Sequence, residues 1–263
     1  MAQMVFARFE TKYILNRAQY EALLPALNGK TTPDKYGAYS ISNIYYDTEQ
    51  YDLIRASIEK PVYKEKLRLR CYGRADADTK VFLELKKKFR KRVYKRRIAL
   101  PYAEAQGFPF GNSWERICEG LASQNDKAAA RGGDLQVAGE IGQFLRLHPV
   151  EPKVYLRYDR LALSGAEDPD LRITFDSGIR FRQDDCRLDG DGAGGMDCDY
   201  GTPVLEPAKV LMEVKTAFSI PLWLSHLLSE HAIFPVSFSK YGTCYQNFIR
   251  NQDLSFFQEQ LIA

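Results

Sequence analysis

Hydrophobic and polar residues alternate with a period of two along several stretches of this chain. The segment KLRLRCY, residues 66–72, places Lys66, Arg68 and Arg70 at alternate positions with apolar residues between them. This alternation is typical of a β-strand with one apolar and one polar face. The same period predicts strands at 5–15, 39–48, 63–73, 80–88, 93–100, 153–163, 171–183 and 210–218.

A helical period separates these strands in several places. Asn16 is a predicted N-cap for a helix that ends near Asn28 and Gly29. Further helical patterns lie at 49–58, 112–147, 221–232 and 253–263. The polar residues 73–79 favour a hairpin between two strands, and the Asp- and Gly-rich residues 187–204 favour a loop. Many strands with interspersed helices, and no linker or long repeat, predict one α+β domain over residues 1–263.

Composition narrows the class of protein. The chain has 263 residues, of which 45% are hydrophobic and 27% charged, and its formal net charge is only +3. It shows neither a signal-peptide pattern nor an apolar run long enough to span a membrane. Its five cysteines are widely spaced and form no metal-ligand pattern. We therefore expect a cytoplasmic protein with reduced thiols and no membrane segment; its protein partners stay unknown.

The polar faces of the predicted strands are rich in cations. Taken together with Lys66, Arg68, Arg70 and Lys240, these faces carry ten basic and five acidic residues, an excess larger than the net charge of the chain. The spacing Glu-x-Lys occurs on three strands, at Glu10/Lys12, Glu84/Lys86 and Glu213/Lys215. A single strand of this kind is typical of a solvated sheet face. Two cations about 5.5 Å apart repel by roughly 3 kcal/mol at an effective dielectric constant near 20, so their repetition favours a bound anion.

If the sheet closes into a barrel, these faces converge on a lumen lined by cations. Arginine and lysine in such numbers suit several phosphate groups, and the few carboxylates suit a divalent metal, Mn²⁺ or Mg²⁺. A terminal phosphate is already anionic at neutral pH, so as an acceptor it needs charge neutralisation and no general base. Hydrolysis, in contrast, needs a carboxylate to orient and deprotonate water.

Eight short motifs together extend from about residue 8 to residue 248. They are RFETKY, KLRLRCY, VFLELKKK, VYKRRI, YLRYDR, LRITFD, LMEVK and FSKYGTCY. Their order is that of a VTC domain, so the chain resembles this polyphosphate polymerase module of the triphosphate tunnel metalloenzyme superfamily. The resemblance implies a closed antiparallel β-barrel of about eight strands with helices packed outside. It also implies transfer of the γ-phosphate of ATP to a growing polyphosphate chain with a divalent metal.

Fifteen residues of this chain are candidates for the site: the resemblance supplies eleven, and the charged strand faces supply Arg8, Lys66, Glu84 and Glu10. The expected catalytic cations are Lys12, Arg68, Arg70, Lys86, Arg157, Lys215 and Lys240. Expected substrate-binding residues are Arg8, Lys66, Lys95, Arg97 and Arg172. Glu213 is the expected metal ligand, and Glu84 and Glu10 are further candidates.

One departure separates this chain from the hydrolase and cyclase relatives of the CYTH group. Those relatives open with Glu-x-Glu-x-Lys, whereas positions 8, 10 and 12 here read Arg-x-Glu-x-Lys. Loss of the first glutamate removes a metal ligand and fits the VTC branch. A tunnel triphosphatase, a nucleotide cyclase and a non-catalytic polyphosphate- or nucleotide-binding module stay open as alternatives.

A nucleic-acid role is the other interpretation of the basic run at 86–97, which has nine basic residues in twelve. On a strand pair, half of these charges would face each side of the sheet, so a single continuous basic surface is not expected. We therefore expect ATP and polyphosphate as the ligands and no nucleic acid.

Overall fold

The structure, a computed structural model, describes residues 5–6, 9–90, 92–125, 132–189 and 201–250. Its strands are β1 (Val5–Phe6), β2 (Phe9–Leu15), β3 (Thr31–Thr48), β4 (Tyr63–Tyr72), β5 (Lys80–Phe89), β6 (Arg92–Pro101), β7 (Val150–Gly165), β8 (Arg172–Arg182), β9 (Thr202–Pro203), β10 (Val210–Thr216) and β11 (Pro235–Val236). Its helices are α1 (Arg17–Ala26), α2 (Asp52–Ile58), α3 (Tyr102–Ala105), α4 (Ser113–Asn125), α5 (Gly132–Leu147), α6 (Leu222–Glu230) and α7 (Lys240–Cys244), and a π-helical turn follows at Tyr245–Ile249.

The eleven strands form a large antiparallel sheet, and the predicted α+β class is confirmed. They pair in the order β1-β6-β5-β4-β3-β7-β8-β10-β2-β11, and β9 pairs with β8. The prediction of a closed barrel of about eight strands is wrong for the described residues. The two ends of the order, β1 and β11, are two residues long and pair only with β6 and β2, so they supply no ladder that joins the ends.

The chain forms two compact units. The first unit contains residues 1–6, 41–156 and 182–200, and the second contains 7–40, 157–181 and 201–263. Strands β3, β7 and β8 have residues in both units. A single domain over the whole chain stays a prediction.

The core of the first unit lies on the apolar face of the β4–β5–β6 meander. The alternate residues of β4, among them Leu67 and Leu69, share this face with Leu83, Leu85 and Ile98. Side chains of α4 and α5 cover the face, and α5 contacts β6. Because successive side chains of a strand point to opposite sides, the charged residues of the same strands point away from this core.

The core of the second unit lies on the apolar face of β2, β10 and β8. Tyr13, Met212 and Phe175 stand in line across these three strands and are buried. Leu23 of α1 and Leu224 of α6 belong to the same cluster. The opposite face of these strands carries Lys12, Glu213 and their neighbours.

Local predictions from the sequence had mixed outcomes. The Asn16 N-cap is confirmed: its side chain accepts a hydrogen bond from the Gln19 backbone N–H in a capping box. Strand β3 begins at Thr31, eight residues before the predicted start at Tyr39. Most of the Asp- and Gly-rich loop and the predicted terminal helix at 253–263 lie outside the described residues. Within the described residues, no helix is both long enough and apolar enough to span a membrane.

Candidate functional site

The first cluster of functional side chains lies in the first unit, on the polar face of β4, β5 and β6. The strand register places Arg68, Glu84 and Arg97 side by side, and Lys66, Lys86 and Lys95 form the neighbouring row. Directly paired residues of adjacent strands project to the same side, so these six side chains share one face. We call Tyr45, Arg68, Arg70, Glu84 and Lys95 the Glu84 cluster.

Glu84 is the centre of this cluster and is 1% exposed. Its Oε2 accepts hydrogen bonds from Arg68 Nε at 2.8 Å and Arg68 Nη2 at 2.6 Å. Lys95 Nζ forms an ion pair with Oε1, and Arg70 Nε lies 3.8 Å from Oε2. One carboxylate is therefore shared by three cations, which leaves the cluster with an excess of positive charge.

Electrostatics shift two pKa values in this cluster. Burial alone would raise the pKa of Glu84, but Arg68, Arg70 and Lys95 outweigh it and hold that pKa well below its usual range. Burial lowers the pKa of Lys95 to about 8; Glu84 opposes this shift, and the two arginines add to it. Glu84 is thus a poor base, and Lys95 titrates close to neutral pH.

Neighbouring side chains fix the arginines. Tyr45 Oη accepts a hydrogen bond from Arg68 Nη1 at 3.3 Å. Asn43 is fully buried; its Oδ1 accepts from Arg70 Nε at 3.0 Å, and its Nδ2 donates to the Leu156 carbonyl at 3.1 Å. Arg97 lies 4.8 Å from the centre of the Phe82 ring. Asn43 and Tyr45 belong to β3, opposite Arg70 and Arg68 in the register, and sequence analysis missed both because it did not pair these strands.

The second cluster lies in the second unit, on the polar face of β2, β10 and β8. Glu213 stands opposite Lys12 of β2 and Thr174 of β8, and Lys215 stands opposite Glu10 and Arg172. The remaining members come from Arg160 and Tyr158 of β7, Asp176 of β8 and Lys240 of α7. We call Glu10, Lys12, Tyr158, Arg160, Asp176, Glu213, Lys215 and Lys240 the Glu213 cluster.

Glu213 is 6% exposed and contacts four cations. Its Oε1 lies 3.2 Å from Lys240 Nζ and 3.4 Å from Lys12 Nζ. Its Oε2 lies 3.2 Å from Lys215 Nζ and 3.8 Å from Arg160 Nη2. Both carboxylate oxygens therefore face positive charge.

Asp176 is the second buried carboxylate of this cluster. It accepts a bidentate pair of hydrogen bonds from Arg160, at 2.6 and 2.7 Å, and its Oδ2 lies 2.6 Å from Lys240 Nζ. Lys240 is the first residue of α7, where the side chain of Ser239 caps the helix. The Tyr158 ring contacts both cations, with Lys240 Nζ at 4.6 Å and the Arg160 guanidinium at 5.3 Å from its centre.

The pKa shifts in this cluster favour the charged form of its carboxylates and of Lys240. Burial opposes charge on Glu213, but Lys240, Lys215, Lys12 and Arg160 hold its pKa well below the usual range. Burial likewise opposes charge on Lys240, and Glu213 and Asp176 raise its pKa nevertheless. These groups stay charged at neutral pH, so neither carboxylate is suited to accept a proton.

The structure brings most of the predicted residues into these two clusters, with one replacement. Arg160, and not Arg157, bonds Asp176. Arg157 lies three residues earlier on β7, on the other side of the strand. The sequence already distinguishes the two arginines. By alternation, Arg157 shares a face of β7 with Leu161 and Leu163, which lie at the apolar core. Arg160 therefore lies on the opposite, polar face.

The peripheral candidates are placed as follows. Arg172 Nη2 donates to Asp34 at 2.9 Å, and its side chain is 40% exposed. Glu10 lies 3.4 Å from Lys12 and 3.9 Å from Lys215. Lys86 is exposed on the Glu84 side of β5, beside Lys66 in the register. Arg8 lies outside the described residues.

The carboxylates differ in their fitness as metal ligands. Glu84 accepts close hydrogen bonds from Arg68, at 2.6 and 2.8 Å, and an ion pair from Lys95, so the prediction of Glu84 as a metal ligand does not fit its contacts. The cations around Glu213 lie farther from its oxygens, at 3.2 to 3.8 Å. No three of the His, Cys, Asp and Glu side chains among the described residues gather closely enough to bind a metal by themselves. Mg²⁺ and similar cations are commonly held by one or two carboxylates together with substrate phosphates, and Glu213 with Glu10 fits that donor set.

Two cations on the other side of the basic run at 86–97 have acidic partners. Glu140 of α5 pairs with Arg96 at 3.1 Å and with Lys87 at 3.2 Å, and Glu65 lies 3.7 Å from Lys87. These contacts compensate two of the cations on this side of the run and do not test the expectation of no nucleic-acid partner.

Comparison with known proteins gives matches of two kinds. The sequence profile of the VTC domain matches residues 7–249. Vacuolar transporter chaperone complex subunit 4 of Trypanosoma brucei brucei (strain 927/4 GUTat10.1) is 26% identical over an alignment of 217 residues that covers 77% of this chain. The chain spans about a quarter of the length of that relative, 27%.

Three solved structures are similar to this chain, with low TM-scores. HpAC1 of Hippeastrum, a candidate adenylyl cyclase described with a dominant triphosphatase activity, gives a TM-score of 0.45 at 17% identity, over 88% of this chain and 92% of its own. A candidate adenylate cyclase of Vibrio parahaemolyticus gives 0.42 at 12% identity, over 92% and 98% of the two chains. PH1819 of Pyrococcus horikoshii OT3 gives 0.42 at 12% identity, over 89% and 95%. All three scores lie below 0.5, and we base no conclusion on them.

Proposed function

The chain belongs to the VTC domain family, and we propose that it transfers the γ-phosphate of ATP to the end of a polyphosphate chain. The observation that carries this proposal is the charge state of the two clusters. Each holds at least one buried carboxylate whose pKa is depressed by a surplus of arginine and lysine. Such a site attracts polyanions and offers no good general base.

The chemistry of phosphate transfer matches these properties. The attacking oxygen of a terminal phosphate is ionised at neutral pH, so no side chain needs to take its proton. Its approach to the γ-phosphate of ATP is opposed by charge, and the cations reduce this repulsion. Transfer to water would need a carboxylate able to accept a proton, and Glu84, Glu213 and Asp176 are held ionised by their partners.

Individual residues take different parts in the proposed reaction. Arg68 and Arg70, fixed by Tyr45 and Asn43, would bind phosphate oxygens through paired N–H groups. Lys95 would add a third cation to the same phosphates.

In the Glu213 cluster, Lys12, Lys215 and Lys240 would neutralise phosphate charge, and Arg160 would hold Asp176 in place. Glu213 would hold the divalent cation, whose charge, when it is bound, offsets that of the phosphate oxygens.

Substitution of Glu213 by glutamine tests this assignment. We expect turnover of ATP to fall by roughly 100-fold or more. Binding of tripolyphosphate, measured by calorimetry in EDTA, should persist because Lys12, Lys215 and Lys240 are retained. Glu206→Gln is the matched control, because Glu206 is exposed and pairs with Lys209 at the surface. Normal turnover in Glu213→Gln would contradict the role of Glu213, whereas a wild-type protein that binds tripolyphosphate without turning over ATP would favour a binding module.

A further inference from the structure

Thr174 is a buried residue of the Glu213 cluster face with no role in the contacts described above. It lies on β8 between Arg172 and Asp176, and the register places it directly opposite Glu213. Its neighbours Ile173 and Phe175 belong to the apolar core. By alternation, the Thr174 side chain therefore points to the charged face.

The Thr174 hydroxyl is an unsatisfied polar group. The residue is 0% exposed, and its Oγ1 has no hydrogen-bond partner among the described residues. A buried hydroxyl without a partner destabilises the folded protein, because it gives up its hydrogen bonds to water and gains none in exchange. Valine has the same shape and would avoid this cost, so a hydroxyl at this place calls for a ligand that it contacts.

The surroundings select the chemistry of that ligand. Glu213, the carboxylate across from Thr174, already has both oxygens occupied by cations. The cluster contains four cations, Lys12, Arg160, Lys215 and Lys240, against three carboxylates, Glu10, Asp176 and Glu213. A bound anion would balance this excess, and a hydroxyl is a hydrogen-bond donor to anions as well as an acceptor.

We propose that Thr174 is a further substrate-binding residue, whose hydroxyl donates a hydrogen bond to an oxygen of a phosphate bound in the Glu213 cluster. This inference rests on the proposed function only in taking phosphate as the ligand. The Thr174 hydroxyl orients the phosphate beside Glu213, and Lys215 and Lys240 supply the charge. The unsatisfied hydroxyl of the free protein becomes satisfied when the phosphate binds.

Thr174→Val, Thr174→Ser and a control separate this role from a structural one. The probe is tripolyphosphate in EDTA, measured by calorimetry and by thermal shift. Hydrogen bonds to charged groups contribute about 1.5–3 kcal/mol, so the affinity of Thr174→Val should fall roughly 10- to 100-fold. The free Thr174→Val protein should melt at the same temperature as the wild type or higher, because the unsatisfied hydroxyl is gone. Thr174→Ser should keep the affinity close to that of the wild type.

Thr48→Val is the matched control, for which we expect a loss of stability and no change in ligand affinity. The Thr48 hydroxyl is buried but bonded: it donates to Asp52 Oδ2 at 2.8 Å and accepts from the Asp52 N–H at 2.9 Å. Its loss should lower the melting temperature of the free protein and leave the tripolyphosphate affinity as it was.

Four results would overturn the inference. Equal affinity of Thr174→Val and wild type means that the hydroxyl does not contact phosphate, whatever the reaction. A lower melting temperature of free Thr174→Val with an unchanged ligand-induced shift means a structural role. An effect seen only when Mn²⁺ is added assigns the hydroxyl to the metal. Absence of tripolyphosphate binding in the wild type rejects the phosphate site and the proposed function together, whereas loss of polymer synthesis alone rejects only the latter.

Discussion

Glu84→Gln is the substitution that tests the electrostatic design of the first unit. It keeps the shape of the side chain and removes its charge. Glu84 is 1% exposed and receives two hydrogen bonds from Arg68 and an ion pair from Lys95. In the variant, Arg68, Arg70 and Lys95 would face a neutral amide and repel one another.

The structure gives the magnitude of this effect. Removal of one partner of a buried ion pair costs about 3–5 kcal/mol. The Lys95 side chain is 35% exposed and can turn to water, so we expect the lower end, about 3 kcal/mol. For a chain of this size, each kcal/mol lowers the melting temperature by roughly 2–4 °C, so the variant should melt about 6–12 °C lower.

Tripolyphosphate should reverse much of this loss. In the wild type a phosphate competes with the Glu84 carboxylate for the same cations, whereas in Glu84→Gln this competition is removed. The ligand should therefore raise the melting temperature of the variant by more than that of the wild type.

Thermal unfolding followed by circular dichroism, with and without tripolyphosphate, measures both effects, and urea unfolding gives the corresponding free energies. Glu206→Gln, which breaks an exposed ion pair with Lys209, should change the free energy of unfolding by at most about 1 kcal/mol. The reasoning is refuted if Glu84→Gln is as mild as this control, or if tripolyphosphate stabilises it no more than the wild type.

Three further predictions follow from the two clusters. The affinity for tripolyphosphate should fall above pH 8, by up to about tenfold per pH unit, because Lys95 has a pKa of about 8 and loses its charge there. Lys95→Arg should make the affinity less dependent on pH in calorimetry. A wild-type affinity that does not change with pH would contradict the lowered pKa of Lys95. Arg160→Lys should lose more ATP turnover than Arg157→Lys, because lysine cannot reproduce the paired bonds to Asp176; the reverse order would restore the assignment made from sequence. Carboxylates with a lowered pKa in the folded protein stabilise it above about pH 4.5, and this stabilisation is lost as the pH falls through their folded-state pKa values. The urea concentration at the unfolding midpoint should therefore drop between pH 5 and pH 2. An unchanged midpoint would refute this.

Much of the first cluster could be predicted from sequence because it depends on local alternation. The period of two in β4 and β5 put Arg68, Arg70 and Glu84 on polar faces, and residues 73–79 indicated the hairpin that pairs them. The partners from β3 could not be predicted in the same way. Asn43 and Tyr45 lie about 25 residues away along the chain, and their pairing depends on a register that alternation does not specify.

The second cluster shows a different limit of sequence reasoning. Lys240 was counted with the strand faces, but it comes from the start of α7. Arg160 was missed because Arg157 and Asp159 also form a charged face on β7. The two faces are distinguished by Leu161 and Leu163, which lie on the same face as Arg157 and pack in the apolar core. The prediction of a closed sheet was wrong because closure depends on the two end strands. These strands, β1 and β11, are too short for their sequences to show an alternating pattern.

Product analysis of the purified protein with ATP and Mn²⁺ tests the central claim most directly. The account predicts polyphosphate chains that lengthen with time, with one ADP released for each phosphate added, and neither product in Glu213→Gln. Free phosphate as the only phosphate product, or cyclic AMP with pyrophosphate, would contradict the account and assign the chain to hydrolysis or cyclisation.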